Sequence, residues 1–172
     1  MDFLALAKKR FSERHFSSTP IEEEKLNKIL EAGRVAPTAR NRQPQRLLIV
    51  QSERGLQKMD FCTACRYNAP CVIVLAYDTQ AAAESPAHAF GPQDTSIVAT
   101  HMMLEAADLG IHSCWVGLID SKKIHEQFNM PETYDVLAVM PMGYPSEESE
   151  PSANHYDTQP IENLCFFENY TS

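Results

Sequence analysis

Apolar residues in this chain switch between a helical spacing and short unbroken runs, and that switching sets out the elements. Residues 2–9 place Phe3, Leu4 and Ala7 on one side of a short helix. A second helix is predicted to start at Thr19-Pro20-Ile21-Glu22, a capping box with proline at the first helical position. Leu26, Ile29, Leu30 and Gly33 keep the helical period to about Val35, and Pro37 ends it. Arg46-Leu47-Leu48-Ile49-Val50 and Cys71-Val72-Ile73-Val74-Leu75-Ala76 are continuous apolar runs, as expected of strands buried on both faces, with a helix over 53–60 between them. Residues 79–92, rich in Ala, Ser, Pro and Gly, read as a surface connection.

Asp94 or Thr95 is predicted to cap the longest helix, which ends at Gly110. Its apolar residues, from Ile97 and Val98 through Met102, Met103 and Leu104 to Leu109, surround most of the circumference. Such a helix is buried, either centrally or in a subunit interface. A strand over 111–119, a helix opening at Asp120 or Ser121 with Ile124 and Phe128, and a strand over 136–142 follow. From Pro145 the chain turns polar and acidic, then ends in the apolar patch Leu164-Cys165-Phe166-Phe167, which something must cover. Without repeats or low-complexity stretches, residues 1–172 read as one domain, with 146–172 as an extended C-terminal tail.

Composition narrows the classes of function. At 172 residues the chain can bury a sizeable core, and 44% hydrophobic with 22% charged residues is ordinary for a globular protein. Fifteen basic against twenty-three acidic side chains, a net charge of −8, argue against a nucleic-acid partner. No apolar run has the length of a membrane span, and Met1-Asp2-Phe3 lacks a signal-peptide pattern, so a cytoplasmic protein without a membrane partner is expected. In that compartment the five cysteines are expected to be reduced thiols. Cys62-Thr63-Ala64-Cys65 is a lone CxxC without the second pair that zinc wants, so no metal is expected.

Three polar segments carry candidate chemistry. Arg10-Phe11-Ser12-Glu13-Arg14 puts two guanidiniums and a hydroxyl within five residues, the donor set that grips a phosphate; cations decorating a helix C-terminus are the plainer reading. Pro37-Thr38-Ala39-Arg40-Asn41-Arg42-Gln43 is a polar turn after a helix, with local side-chain bonding as its plain reading. Ser113-Cys114-Trp115-Val116-Gly117-Leu118 sets the single tryptophan and a glycine at a strand end, where the tryptophan could equally be core.

These segments, with Gly143-Tyr144-Pro145, resemble in order the motifs of the nitroreductase family of FMN-dependent oxidoreductases, over nearly the whole chain. The resemblance implies an α/β (α+β) sandwich: a mixed central sheet of four strands, helices on both faces, and a C-terminal strand exchanged with the partner of a homodimer. It also implies FMN, with NADH or NADPH as transient donor. Arg10, Phe11 (by its backbone), Ser12 and Arg14 would meet the phosphate. Pro37, Thr38, Ala39, Asn41 and Gln43 would lie beside the ring and ribityl chain, and Trp115, Val116, Gly117 and Leu118 would face the reactive nitrogen. Arg66 would sit near the pyrimidine edge, with Cys62 and Cys65 close enough to couple thiol chemistry to the flavin. The tail around Thr158 would close the phosphate site. Phe11 and Thr158 are neutral where close relatives carry cations.

The implied activity is hydride transfer from NAD(P)H through the flavin to a nitroaromatic, quinone or similar acceptor by a ping-pong cycle. No side chain is needed as acid or base, and no GxGxxG motif is present for a dedicated dinucleotide domain. A flavin-binding redox sensor or storage protein is the alternative.

Overall fold

The longest apolar run becomes the spine of the molecule. In the computed structural model, which describes residues 2–85 and 88–170, the chain runs α1 (Phe3–Lys9), α2 (Glu23–Arg34), β1 (Gln45–Val50), α3 (Glu53–Asp60), β2 (Cys71–Asp78), β3 (Glu84–Ser85), β4 (His88–Ala89), α4 (Gly91–Asp108), β5 (His112–Ser113), α5 (Ser121–Phe128) and β6 (Tyr134–Gly143). Short 3-10 turns lie at Ala39–Asn41, Ala153–His155 and Ile161–Asn163.

The four-stranded sheet has the order β1-β2-β6-β5 and its ladders are antiparallel. The parallel component is an isolated bridge from Ser12 to Ser113. Because side chains alternate across a strand, β2 feeds two cores at once. Cys71, Ile73 and Leu75 pack with Ile29 of α2 and Val98, Met102 and Ala106 of α4. Val72, Val74 and Ala76 pack on the other face with Met59 of α3 and Ile124 of α5. This is the expected sandwich with helices on both faces.

The differences from the sequence reading have identifiable causes. β1 is not buried on both faces: it is an edge strand, and Leu47, Leu48 and Ile49 are only half-buried. α2 begins at Glu23, after Thr19-Pro20-Ile21-Glu22 rather than within it, with no side-chain cap. Both halves of the anticipated capping box are engaged elsewhere: the Thr19 amide donates to Ser17 Oγ at 3.1 Å, and Glu22 accepts the Tyr144 hydroxyl at 2.5 Å. Ile21 meanwhile is drawn into the core.

α4 starts at Gly91 rather than at Asp94 or Thr95, with Pro92 in its first turn. Within one chain it is covered along a single stripe. Asp94, Thr95, Val98, Ala99, Met102 and Ala106 form the buried stripe, while Ile97 is exposed. The strand expected over 111–119 shrinks to β5 and one bridge from Val116 to Val139. The Cys114 amide donates to the Pro141 carbonyl at 3.0 Å, but proline has no N–H to return the bond, and the ladder lapses. The 79–92 connection carries the β3–β4 hairpin.

Gly91 has the least room of the described glycines. A Cβ there would stand 2.2 and 2.3 Å from two ring carbons of Tyr77. That ring cannot swing freely, because its hydroxyl donates to Asp135 at 2.7 Å; burial and this bond push the Tyr77 pKa up to about 12. Gly91→Ala is therefore expected to destabilise the fold by about 1–3 kcal/mol, read as a lowered midpoint in thermal denaturation.

Candidate functional site

α1 stops at Arg10, and the chain continues extended beside β5. Ser12 bridges Ser113, the Glu13 amide donates to the Ser113 carbonyl at 3.1 Å, and Phe16 bridges Pro145. An extended segment sorts its side chains by parity. Phe11 and Glu13 turn to His112: the Phe11 ring meets it edge-on at 4.9 Å, and the Glu13 carboxylate bonds its Nδ1 at 2.8 Å. Arg10, Ser12 and Arg14 turn the other way, toward Cys114. Burial pushes the Cys114 thiol up, while the Arg14 and Arg10 charges and the Ser12 hydroxyl pull it down. The three expected phosphate ligands thus share one side, and the Phe11 ring does not join them.

Arg14 is exposed and donates from Nη1 to the Ser12 carbonyl at 3.2 Å. Its neighbour is Tyr67, whose hydroxyl is held high by its bond to the Cys65 thiol and by burial, against the pull of Arg14. Tyr67 and Asn68 are both left-handed, with φ of 56° and 55°, a conformation non-glycine residues adopt at a cost and often at functional positions. Glu147 and Glu148 line the same cleft as Arg14, so cations and anions are mixed there.

Along 115–118 the side chains divide. Trp115 packs against the α2–α4 core and Val116 is buried on the opposite face, its amide donating to Val139. Gly117 and Leu118 are exposed, and a Cβ at Gly117 would meet nothing within 4 Å. The amides of Trp115 and Gly117 find no partner among the described residues.

The 37–43 turn is anchored to α4. The Ala39 amide donates to Asp94 Oδ1 at 2.8 Å, and the Gln43 amide to Thr38 Oγ1 at 3.0 Å. Arg40, Asn41 and Gln43 are left-handed, with φ of 53°, 54° and 50°. Pro37 and Asn41 are exposed, and the Asn41 side chain makes no hydrogen bond among the described residues. No hydrogen bond joins this turn to the 10–14 segment among the described residues.

Arg66 is committed to a bidentate pair with Asp60, at 2.5 and 2.9 Å, and to the Ala69 carbonyl. The CxxC is split: Cys62 is buried and donates to the Lys58 carbonyl, whereas Cys65 turns to Tyr67. Thr158 is exposed in the tail, three residues after His155, whose Nε2 donates to the Lys8 carbonyl at 3.0 Å. Sequence reasoning missed Glu13, Asp94, Tyr67 and His112 as parts of this site. A carboxylate at an inward position of an extended segment was the available signal for Glu13.

The set suits a flavin mononucleotide: an exposed and a half-buried guanidinium with a hydroxyl for the phosphate, a bare glycine and undonated amides for a flat ring. Comparison with known proteins agrees. The nitroreductase family model matches residues 7–65 and 57–144, and the chain belongs to that family. An Archaeoglobus fulgidus relative, named for a proposed NADH dehydrogenase or NAD(P)H nitroreductase activity, is 32% identical over 148 residues, 82% of this chain and 84% of its own. The crystal structure of a nitroreductase family protein from Clostridium difficile 630 superposes with a TM-score of 0.92, covering 99% of this chain and 100% of that one, at 36% identity. An FMN-dependent nitroreductase from Clostridium difficile R20291 is 26% identical, with a TM-score of 0.80 over 98% of this chain and 100% of that one. No helix among the described residues is long and apolar enough to cross a membrane.

Proposed function

We propose that the protein is a cytoplasmic, homodimeric FMN-dependent oxidoreductase that carries electrons from NADH or NADPH to a nitroaromatic, quinone or similar acceptor in a ping-pong cycle. The FMN-dependent, NAD(P)H-linked chemistry belongs to the family, and the carrying observation is the one-sided display of Arg10, Ser12 and Arg14 along the segment paired to Ser113, on the strand that runs on to the open main chain at Gly117. When bound, FMN supplies the redox chemistry by accepting and returning hydride. The protein's part is to hold it: Arg10, Ser12 and Arg14 bind the phosphate, and the Trp115 and Gly117 amides donate to the ring. The bare face at Gly117 leaves room for donor and acceptor in turn.

Two features support the dimer. β1 is a sheet edge, whose free backbone groups invite another strand. The tail presents Ile161, Leu164, Phe166 and Phe167 exposed, apolar surface that the family's strand exchange would lay beside a partner's β1. In such a dimer the Asn41 turn of one protomer would complete the arginine site of the other, in keeping with the lack of any hydrogen bond between the two segments among the described residues.

The rival reading, a flavin sensor or store, draws on Cys65 and Cys114 beside Arg14. Visible spectra decide between the two. After incubation with FMN and desalting, the protein should keep flavin bands that bleach with NAD(P)H under argon and return with an acceptor over many turnovers. Retained bands that never bleach would favour the rival, and loss of all flavin would refute both.

A further inference from the structure

The 10–16 segment carries the proposed phosphate ligands, yet it lies outside the main ladders of the sheet, so something else must fix its shape. One buried side chain does most of this. Glu13 is 0% exposed, and its carboxylate accepts four hydrogen bonds from three parts of the chain. Oε1 takes the amides of Arg14 and His15, each at 2.9 Å. Oε2 takes His112 Nδ1 at 2.8 Å, from β5, and the Ser149 hydroxyl, from the start of the tail. Glu13's own amide is tied to Ser113.

A buried carboxylate is costly unless its lone pairs are filled, and here they are. Burial raises the Glu13 pKa, but the bonds from Ser149, His15, His112 and Arg14 together outweigh it and hold it below the ordinary glutamate range. The group is therefore an ionised, fully satisfied hub, the kind of network that rigidifies its surroundings. By drawing the Arg14 and His15 amides inward, it leaves the Arg14 guanidinium facing out on the side of Ser12.

The hub also reaches the tail. Beyond Ser149, the Ser146 amide donates to the His15 carbonyl at 2.9 Å, and His155 bonds the Lys8 carbonyl with its ring 6.0 Å from that of Phe11. The start of the tail is thus laid along the arginine segment at three points.

We propose that Glu13 is a positioning residue: it presets the phosphate-gripping geometry of Ser12 and Arg14 and locks that segment to the start of the C-terminal tail. This rests on the FMN reading. The tail's far end is the arm proposed to cross to the partner, so cofactor binding and arm docking would stabilise the same conformation. Glu13 touches neither phosphate nor ring; it acts through the residues that do.

The test is a pair of titrations, with FMN and with riboflavin, which is the same ring and ribityl chain without the phosphate, followed by flavin fluorescence. Glu13→Gln keeps the size but puts an amide donor where His112 and Ser149 both donate. It should weaken FMN by about tenfold or more while changing riboflavin by less than about threefold. Equal weakening of both ligands would mean general damage to the fold, and an unchanged FMN affinity would mean no role; either overturns the proposal. If Glu13→Gln does not fold, Ser149→Ala, which removes one donor and leaves the carboxylate, should give the same selective loss at about two- to fivefold. An unselective or absent effect there also overturns it. A wild-type protein that binds neither flavin would instead refute the cofactor reading itself.

Discussion

Arg14→Ala should bind FMN about 10- to 100-fold more weakly than the wild type, with little change in riboflavin affinity or thermal stability. A hydrogen bond to a charged partner contributes about 1.5–3 kcal/mol, and each 1.4 kcal/mol is tenfold in affinity. The side chain is exposed and its bonds run to the Ser12 carbonyl and the Tyr67 hydroxyl, neither of which the fold depends on. Loss of such a surface group usually shifts stability by no more than about 0.5 kcal/mol. The effect on FMN should be large because Phe11 and Thr158 contribute no charge to the site. Arg14→Lys should recover only part of the affinity, since an ammonium cannot grip two phosphate oxygens as a planar guanidinium does. Raising the salt should weaken wild-type binding more than that of Arg14→Ala. Equal affinities of Arg14→Ala and wild type would return the arginines to their plainer role as cations at the end of α1.

The cluster of Arg10, Ser12 and Arg14 was visible in the chain as two guanidiniums and a hydroxyl within five residues; that alternate residues of an extended segment set them on one side came from the structure. α1, α3, α5 and β6 were likewise legible, since each has a local apolar rhythm and, at Asp120, a local cap whose carboxylate accepts the Lys123 amide. What misled the reading was competition from distant partners. Glu22 was taken by Tyr144, 122 positions on, so the capping box at 19–22 never closed. Asp94 was taken by Ala39, 55 positions back, and the start of α4 moved to Gly91. The shortening of β5 came from Pro141 on the neighbouring strand, and the half-exposure of β1 from its place at the sheet edge; neither is written in the run itself. The partners of Glu13 were illegible for the same reason: His112 is 99 positions away and Ser149 is 136.

The second large effect separates the core of one chain from the cover a partner would add. Leu75→Ala, at the centre of β2 and 0% exposed, should cost about 2–5 kcal/mol, because the cavity it leaves is walled by Ile29, Val98 and Met102. At about 2–4 °C per kcal/mol for a domain of this size, the melting midpoint should fall by roughly 5–20 °C. Leu47 is the sharper probe. It stands opposite Leu75 in the ladder and packs against the same core, but from the edge strand, where it is only half-buried. In a chain ending at Asp157, which keeps Ser149 and His155 but lacks the apolar residues from Ile161 onward, Leu47→Ala should cost about half as much as Leu75→Ala. In the full chain, an arriving tail would finish the burial of β1. The cost of Leu47→Ala should then approach that of Leu75→Ala and depend on protein concentration, as expected when folding is linked to association. Leu75→Ala should cost nearly the same in both chains, since Leu75 is already 0% exposed without a partner. An equal cost of Leu47→Ala in the two chains would mean that the tail does not lie on β1, and the strand-exchanged dimer would have to be abandoned.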